Sequence, residues 1–403
     1  MELFWLEHKK LWRKKIVKIC VLLCFVYCVI FGSILSFQWF CFGSSDDYTS
    51  AFGNNFDGYT VIKDSQEYAL SFGGELTDET LQQIVSDYQQ MEADGMEKEL
   101  EKTDWQIVNS WLGTLYPELR DTSNYKTMIS YVDPDKLTGF YERRQQVLDE
   151  FLEVSGQVGA EKEFLHQIER KVEKPFRYEW VEGWSTLLGS MVADLGVVMA
   201  LFLGIVLSSL FAGEWHDNTS TLVLTTRNGW GKIALAKILT GLAFTVELFA
   251  LLAVSSVISQ LFFMGTAGWD MPIQNIKLIA VAPMNMLQAE IYEYAFVLLG
   301  AIGFAGIVMF ISAAVKNNVL TLLLSLAVVY GPMMIAEYLP YGMQKALDLI
   351  PLVGSSTDIF RTNTFRILGK LIWSPYLLIT IPVLIGILCM PFAIKSWSRR
   401  MKA

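Results

Sequence analysis

The amino-acid sequence predicts an all-α membrane protein: six transmembrane helices, an N-terminal amphipathic interfacial helix, and a mostly helical extracellular domain between the first and second spans. Three observations predict it. Of the 403 residues, 53% are hydrophobic and the mean hydropathy is +0.36, more apolar than a soluble domain tolerates. Six stretches approach the roughly 20 mainly apolar residues that a helix needs to cross the hydrocarbon core: Ile19–Phe42, Leu187–Ala212, Ile238–Met264, Tyr294–Val315, Val319–Ala336 and Pro375–Ile394. Charge is also divided unevenly. Residues 43–184 hold 13 Lys/Arg against 29 Asp/Glu, whereas both ends of the chain are basic.

The elements follow in order. Residues 1–18 form a cytoplasmic amphipathic helix in which Leu3, Phe4, Trp5, Leu11 and Trp12 alternate with His8, Lys9, Lys10 and Arg13. Such a helix lies in the membrane interface with its cations at phosphate depth. The first span, 19–42, is too long for a signal-peptide apolar region and lacks a cleavage site after it. It therefore stays in the mature protein. Its Cys20, Cys24 and Cys28 recur every four residues, which predicts one packing face rather than a metal site.

Basic termini face the cytoplasm by the positive-inside tendency, and an even number of spans agrees. The acidic domain, 43–184, then lies outside, and lacks cysteine. Residues 59–72 supply two short strands. Thr77 caps a helix with Asp78 and Glu79 in its first turn, and Leu81, Ile84, Val85, Tyr88 and Met91 share one face. A second helix places Phe140, Tyr141, Val147, Leu148, Phe151 and Leu152 on one side, and residues 159–176 continue as a charged helix. The remaining segments alternate sides. They are the second span (187–212), a cytoplasmic loop (213–237), the third span (238–264), an outer loop (265–293), the fourth and fifth spans (294–315 and 319–336), an outer loop (337–374), the sixth span (375–394) and a cytoplasmic tail (395–403). Tyr330-Gly331-Pro332 threatens to break the fifth span. Lys345, Arg361, Arg366 and Lys370 conflict with an outward position for 337–374. Both outer loops are expected to hold interfacial helices or partial re-entries.

The chain carries no enzyme signature. Its three histidines, His8, His166 and His216, fall outside the predicted spans and form no H-E-x-x-H. Residues 226–233 approach a phosphate-binding loop, but Thr226 stands where glycine is required and Ile233 where serine or threonine is. The protein is therefore not expected to hydrolyse ATP or bind a metal. Two carboxylates fall within spans, Asp194 and Glu247. A charge there costs about 2.5–3.5 kcal/mol on insertion scales and usually faces protein or water, so both are candidate intramembrane sites.

The loop after the second span has an order of its own: Phe211, Glu214, a polar turn at Asn218-Thr219, the apolar Leu222-Val223-Leu224, then Thr225-Thr226-Arg227, with Lys237 in the next span. This order, with the basic amphipathic N-terminus and six spans, resembles the permease subunits of type 2 ABC exporters (the ABC-2 family), in a Gram-positive subgroup with a large first extracellular loop. The resemblance covers about two-thirds of the chain and leaves 43–180 aside. Where family members often read E-x-x-x-G-T, this chain has Glu214 and Asn218-Thr219. The resemblance implies a homodimer or heterodimer of permeases in membrane lipid, each bound to a separate ABC ATPase subunit that holds ATP and Mg. It implies no cofactor on this chain and no nucleic-acid partner. The loop 213–237 would be the coupling loop, touching the ATPase through Glu214, Trp215, Thr219, Leu222, Leu224, Thr225, Arg227 and Lys232. Its cargo would be an amphipath such as a peptide antibiotic, a lipid or a drug. The alternative is an ABC-type sensor or mechanotransmitter, whose extracellular domain binds a ligand without transport.

Overall fold

A computed structural model of the chain describes residues 2–41, 66, 73–95, 105–121, 126–188, 192–217, 219, 231–353 and 363–399. Five helices in it are long and apolar enough to cross a membrane. The amphipathic N-terminus is helix α1 (Glu2–Arg13), separated by Lys14 alone from the 27-residue α2 (Lys15–Cys41). Cys20, Cys24 and Cys28 are buried in the core of the helix bundle, as the four-residue repeat predicts.

The acidic region folds around α3 (Asp78–Ala93), α4 (Trp105–Leu115), α5 (Phe140–Val154) and α6 (Ala160–Glu169), with the short helix α7 (Glu182–Thr186) at its end. Strands β1 (Gly74–Leu76) and β2 (Phe176–Tyr178) pair antiparallel and bring the two ends of this region together. The expected cap is present: Thr77 Oγ1 accepts from Thr80 N at 3.2 Å. Asp78 does more than favour its own helix, because its carboxylate accepts from Gly139 N and Phe140 N at 2.7 and 2.9 Å and so caps α5. Leu81, Ile84 and Val85 are buried with Trp111, Tyr116, Phe140 and Phe176. Phe151, expected inside, is 40% exposed, since the buried stripe of α5 runs through Arg144, Leu148 and Leu152 instead. The two strands expected in 59–72 lie outside the described residues, except Gln66.

The bundle continues with α8 (Val192–His216), α9 (Lys232–Met264), α10 (Met286–Ala314), α11 (Asn318–Ile335) and α13 (Ser374–Arg399). Several boundaries correct the expected ones. The helix that holds the expected third span begins six residues before it, at Lys232, and the one that holds the fourth begins eight residues before it, at Met286. An Asn285–Gln288 capping box starts α10, so Glu290 and Glu293 belong to the helix and not to the loop. Pro332 does not break α11, which continues to Ile335. The bundle core holds Leu203, Phe211, Phe244, Phe304 and Trp397. Helices α10 and α13 approach most closely, backbone to backbone, where Gly303 and Gly306 face Pro382 and Gly386.

The two loops expected at the interface pack onto the acidic region. Residues 265–285 are held by Trp180, whose Nε1 donates to Met264 O at 3.2 Å, and by Trp184, whose Nε1 donates to Ala267 O at 2.9 Å. Gly268, at φ +77°, lies against the Trp180 carbonyl, where a Cβ would collide. The described residues of 337–373 include a short helix α12 (Tyr341–Leu347) and a hairpin of β3 (Thr364–Ile367) and β4 (Lys370–Trp373). Arg366 pairs with Glu161 at 2.7 Å and Lys345 donates to Thr364 O at 2.8 Å. Of the basic residues that disagree with a purely statistical topology, Arg366 is thus bound by the acidic region and Lys345 by the hairpin, while Arg361 lies outside the described residues.

Candidate functional site

The site lies at the end of the bundle that carries α1. Helix α8 arrives there with Phe211 buried beside Trp397 and ends two residues after Glu214; α9 leaves with Lys237 one and a half turns in. The two helix ends are adjacent, with Lys237 Nζ 2.8 Å from Glu214 Oε1. Helix α1 lies along the start of α9. Its apolar side packs there, with Leu11 2% exposed and Trp12 against Phe244 at a ring separation of 5.8 Å. Its polar side therefore meets the end of α8.

Glu214 is the centre of this junction. It is 4% exposed, and its Oε1 accepts from Lys10 Nζ at 2.6 Å and Lys237 Nζ at 2.8 Å. The Thr219 hydroxyl donates to its other oxygen, and Thr219 N donates to the Glu214 carbonyl at 3.0 Å. Lys237, 1% exposed, also binds Glu7 Oε2 at 2.8 Å. One carboxylate thus links α1, α8, α9 and the first residues of the connecting loop. Beside it, Lys14 Nζ donates to Ser209 Oγ at 2.9 Å. Burial and the nearby charges of Lys237 and Lys10 push the Lys14 amine down from its usual value. For Lys10, burial acts downward, but the hydrogen bond and charge of Glu214 together with the charges of Glu7 and Asp217 outweigh it, and the amine is shifted up.

A charged pair at this depth costs desolvation free energy and is tolerated because each group is satisfied. The groups form ion pairs and hydrogen bonds that join the helices to one another and to the loop.

The structure distributes the expected contact residues over two faces. Glu214 and Thr219 are in the junction. Trp215 points to the far side of α8, against Trp397 at 6.1 Å between rings, with Lys316 Nζ 4.4 Å over it. Lys232 is exposed at the first residue of α9. Leu222, Leu224, Thr225 and Arg227 lie outside the described residues, as does the side chain of Asp194. Glu247 is 42% exposed and makes interhelical contacts that the sequence reading lacked: His8 Nε2 lies 3.1 Å from Oε1 and Trp12 Nε1 donates to Oε2 at 3.0 Å. Glu7 and Lys10 were missed as site residues because a cationic interfacial helix is read first as lipid-facing. The available signal was Glu7 and Lys10 sharing a helix face with Leu11. Comparison with protein-family models, curated proteins and solved structures found no match to this chain.

Proposed function

We propose that this chain is the transmembrane permease subunit of an ATP-driven ABC-2 exporter. It couples ATP hydrolysis by a separate ATPase subunit to movement of an amphipathic substrate, such as a peptide antibiotic, lipid or drug, across or out of the membrane. In this reading α2 is the first of six spans, the α1 end is cytoplasmic and residues 43–184 are extracellular. The permease works as a homodimer or heterodimer.

The observation that carries the reading is the Glu214 junction. A loop that receives force from an ATPase must transmit it to more than one helix, and Glu214 joins the loop's Thr219 to α1, α8 and α9. The apolar Leu222-Val223-Leu224 between polar ends suits a helix docked in a partner's groove.

One set of contacts favours the second reading, a sensor or mechanotransmitter. Arg144 Nε donates to Leu278 O at 2.7 Å, and Thr364 Oγ1 donates to Gln157 Oε1 at 2.7 Å. The acidic region is therefore fastened to both loops at that end of the bundle, a route by which ligand binding would reach the helices.

The test is to isolate the detergent-solubilised protein from its native membrane and ask what accompanies it. Copurification of an ATP-hydrolysing subunit of about 25–35 kDa, corresponding to roughly 200–300 residues, is expected from the native chain. It is lost on combining Glu214→Ala with Arg227→Ala. No ATPase under conditions that keep the permease dimer would overturn the reading. ATPase activity that responds to an outer ligand with no transport would select the sensor.

A further inference from the structure

A second buried polar group sits at the opposite end of the bundle, between α9 and α10. Gln260 on α9 is 0% exposed, and neither atom of its carboxamide has a hydrogen-bond partner. Glu290 on α10 is 4% exposed, and neither carboxylate oxygen has one. The Tyr294 hydroxyl is likewise buried, and makes no hydrogen bond of full geometry although Glu290 and Ser256 are within its reach. Tyr294 is one turn along from Glu290 and stands beside it and beside Ser256 of α9. Because α9 and α10 are joined at this end by residues 265–285, they run antiparallel. Gln260, one turn beyond Ser256, therefore comes level with Glu290, one turn before Tyr294. Ser255 and Ser256 donate to the Leu252 carbonyl at 3.0 and 2.8 Å, which leaves their oxygens able to accept.

A lone carboxylate at this depth costs several kcal/mol unless it takes up a proton or a counter-charge reaches it. Among the described residues no lysine, arginine or histidine pairs with Glu290. The unmatched acceptors are two carboxylate oxygens, one carboxamide oxygen and a phenol oxygen, against the Gln260 amide N–H and the Tyr294 O–H as donors. A single proton satisfies only part of that set. An ammonium group has three donors and no acceptor, and an alkali ion is likewise held by several oxygens.

We propose that Glu290, Gln260 and Tyr294 form a binding site for a monovalent cation, with Ser255 and Ser256 at its edge. The cation is either an alkali ion or the ammonium head of an amphipath. The site is independent of any ATPase, so it stands or falls separately from the exporter reading.

The full chain in detergent, in a buffer whose only cation is N-methylglucamine, tests it by thermal unfolding. Sodium chloride, potassium chloride and dodecylammonium are added separately, with dodecanol as the neutral control. A saturable rise in Tm is expected with at least one cation and none with dodecanol. It is absent in Glu290→Gln, and half-saturation is about tenfold weaker in Gln260→Leu, the loss of one hydrogen bond to a charged group. A response to sodium or potassium identifies an ion site; a response to dodecylammonium alone identifies an amphipath's head. Should Glu290→Gln fail to fold, infrared difference spectra of the native chain give the same answer. A carboxyl band converting to carboxylate as the cation binds supports the site. No response to any cation, an equal response in Glu290→Gln, or a carboxyl that stays protonated throughout overturns it.

Discussion

At the scale of single residues, burial decides which of the cations at the α1 end carries stability. Lys237 and Lys10 bind the same oxygen of Glu214 at similar distances, yet their side chains are 2% and 52% exposed. Removing the buried partner leaves Glu7 and Glu214 short of a cation in a desolvated place, at a cost of about 3–5 kcal/mol. Removing the exposed one forfeits a screened interaction of about 0–1 kcal/mol. Lys237→Met should therefore lower the unfolding temperature of the purified chain strongly and Lys10→Met barely; similar losses would show that depth is not what matters. A pH effect belongs to Glu169. Burial acts to raise its pKa, but hydrogen bonds from Lys174 and Arg144 hold it below the usual value. A depressed carboxyl stabilises the fold fully above the ordinary glutamate value of about 4.3 and loses that contribution as pH falls through its lower folded value. The acidic region should loosen on acidification below about pH 4, read by protease cleavage within 73–188. Glu169→Gln should show a flatter pH dependence.

At the scale of elements, the tightest contact is between α10 and α13, and it depends on glycine. A Cβ at Gly386 would meet the Cα and carbonyl of Gly303, which are backbone and do not yield. At Gly204 a Cβ would meet only the ends of Leu322 and Leu326. Gly386→Ala is expected to cost about 1–3 kcal/mol as overpacking and Gly204→Ala clearly less, measured as the difference in thermal unfolding between the two. Arg144 plays a comparable part between α5 and the 265–285 loop. It is fully buried, binds Glu169 at 2.6 Å and donates to Leu278 O and Ala280 O. Arg144→Ala leaves buried Glu169 with Lys174 alone and takes a donor from the Leu278 and Ala280 carbonyls, so protease access to 265–285 should rise sharply; unchanged cleavage would mean that the loop's other contacts, those of Trp111, Trp180 and Trp184 among them, hold it without Arg144. The long helices were legible in the sequence because their apolar runs exceed what any other element uses. Their true ends were less so. The start of α10 was missed because Glu290 and Glu293 read as loop charges, although an Asn285–Gln288 cap stood just before them. Phe151 was placed inside because helical spacing locates a stripe only to within one residue, and Arg144 takes a buried place that hydropathy would never assign.

At the scale of the whole molecule, the chain has a polar junction at each end of an apolar bundle. The α1 end is tied by Glu214 and the other end is fastened to the acidic region through Arg144, Gln157 and Arg366. The first was half-legible. Glu214, Thr219 and Lys237 stood out from the order of residues in and after the loop, but Lys10 and Glu7 come from a helix some 200 positions earlier, and nothing local points to them. The second was legible only as a conflict, basic residues in a loop expected outside, which folding resolves by pairing Arg366 with Glu161. The account's central claim is that the loop between α8 and α9 docks an ATPase. A photo-crosslinking amino acid at position 222 or 224, with a control at Leu368 on the opposite end, tests it in the native membrane. The account predicts an adduct with an ATP-binding protein of about 25–35 kDa from both loop positions and none from the control. Folded, membrane-inserted chain that gives no such adduct from either loop position would contradict it.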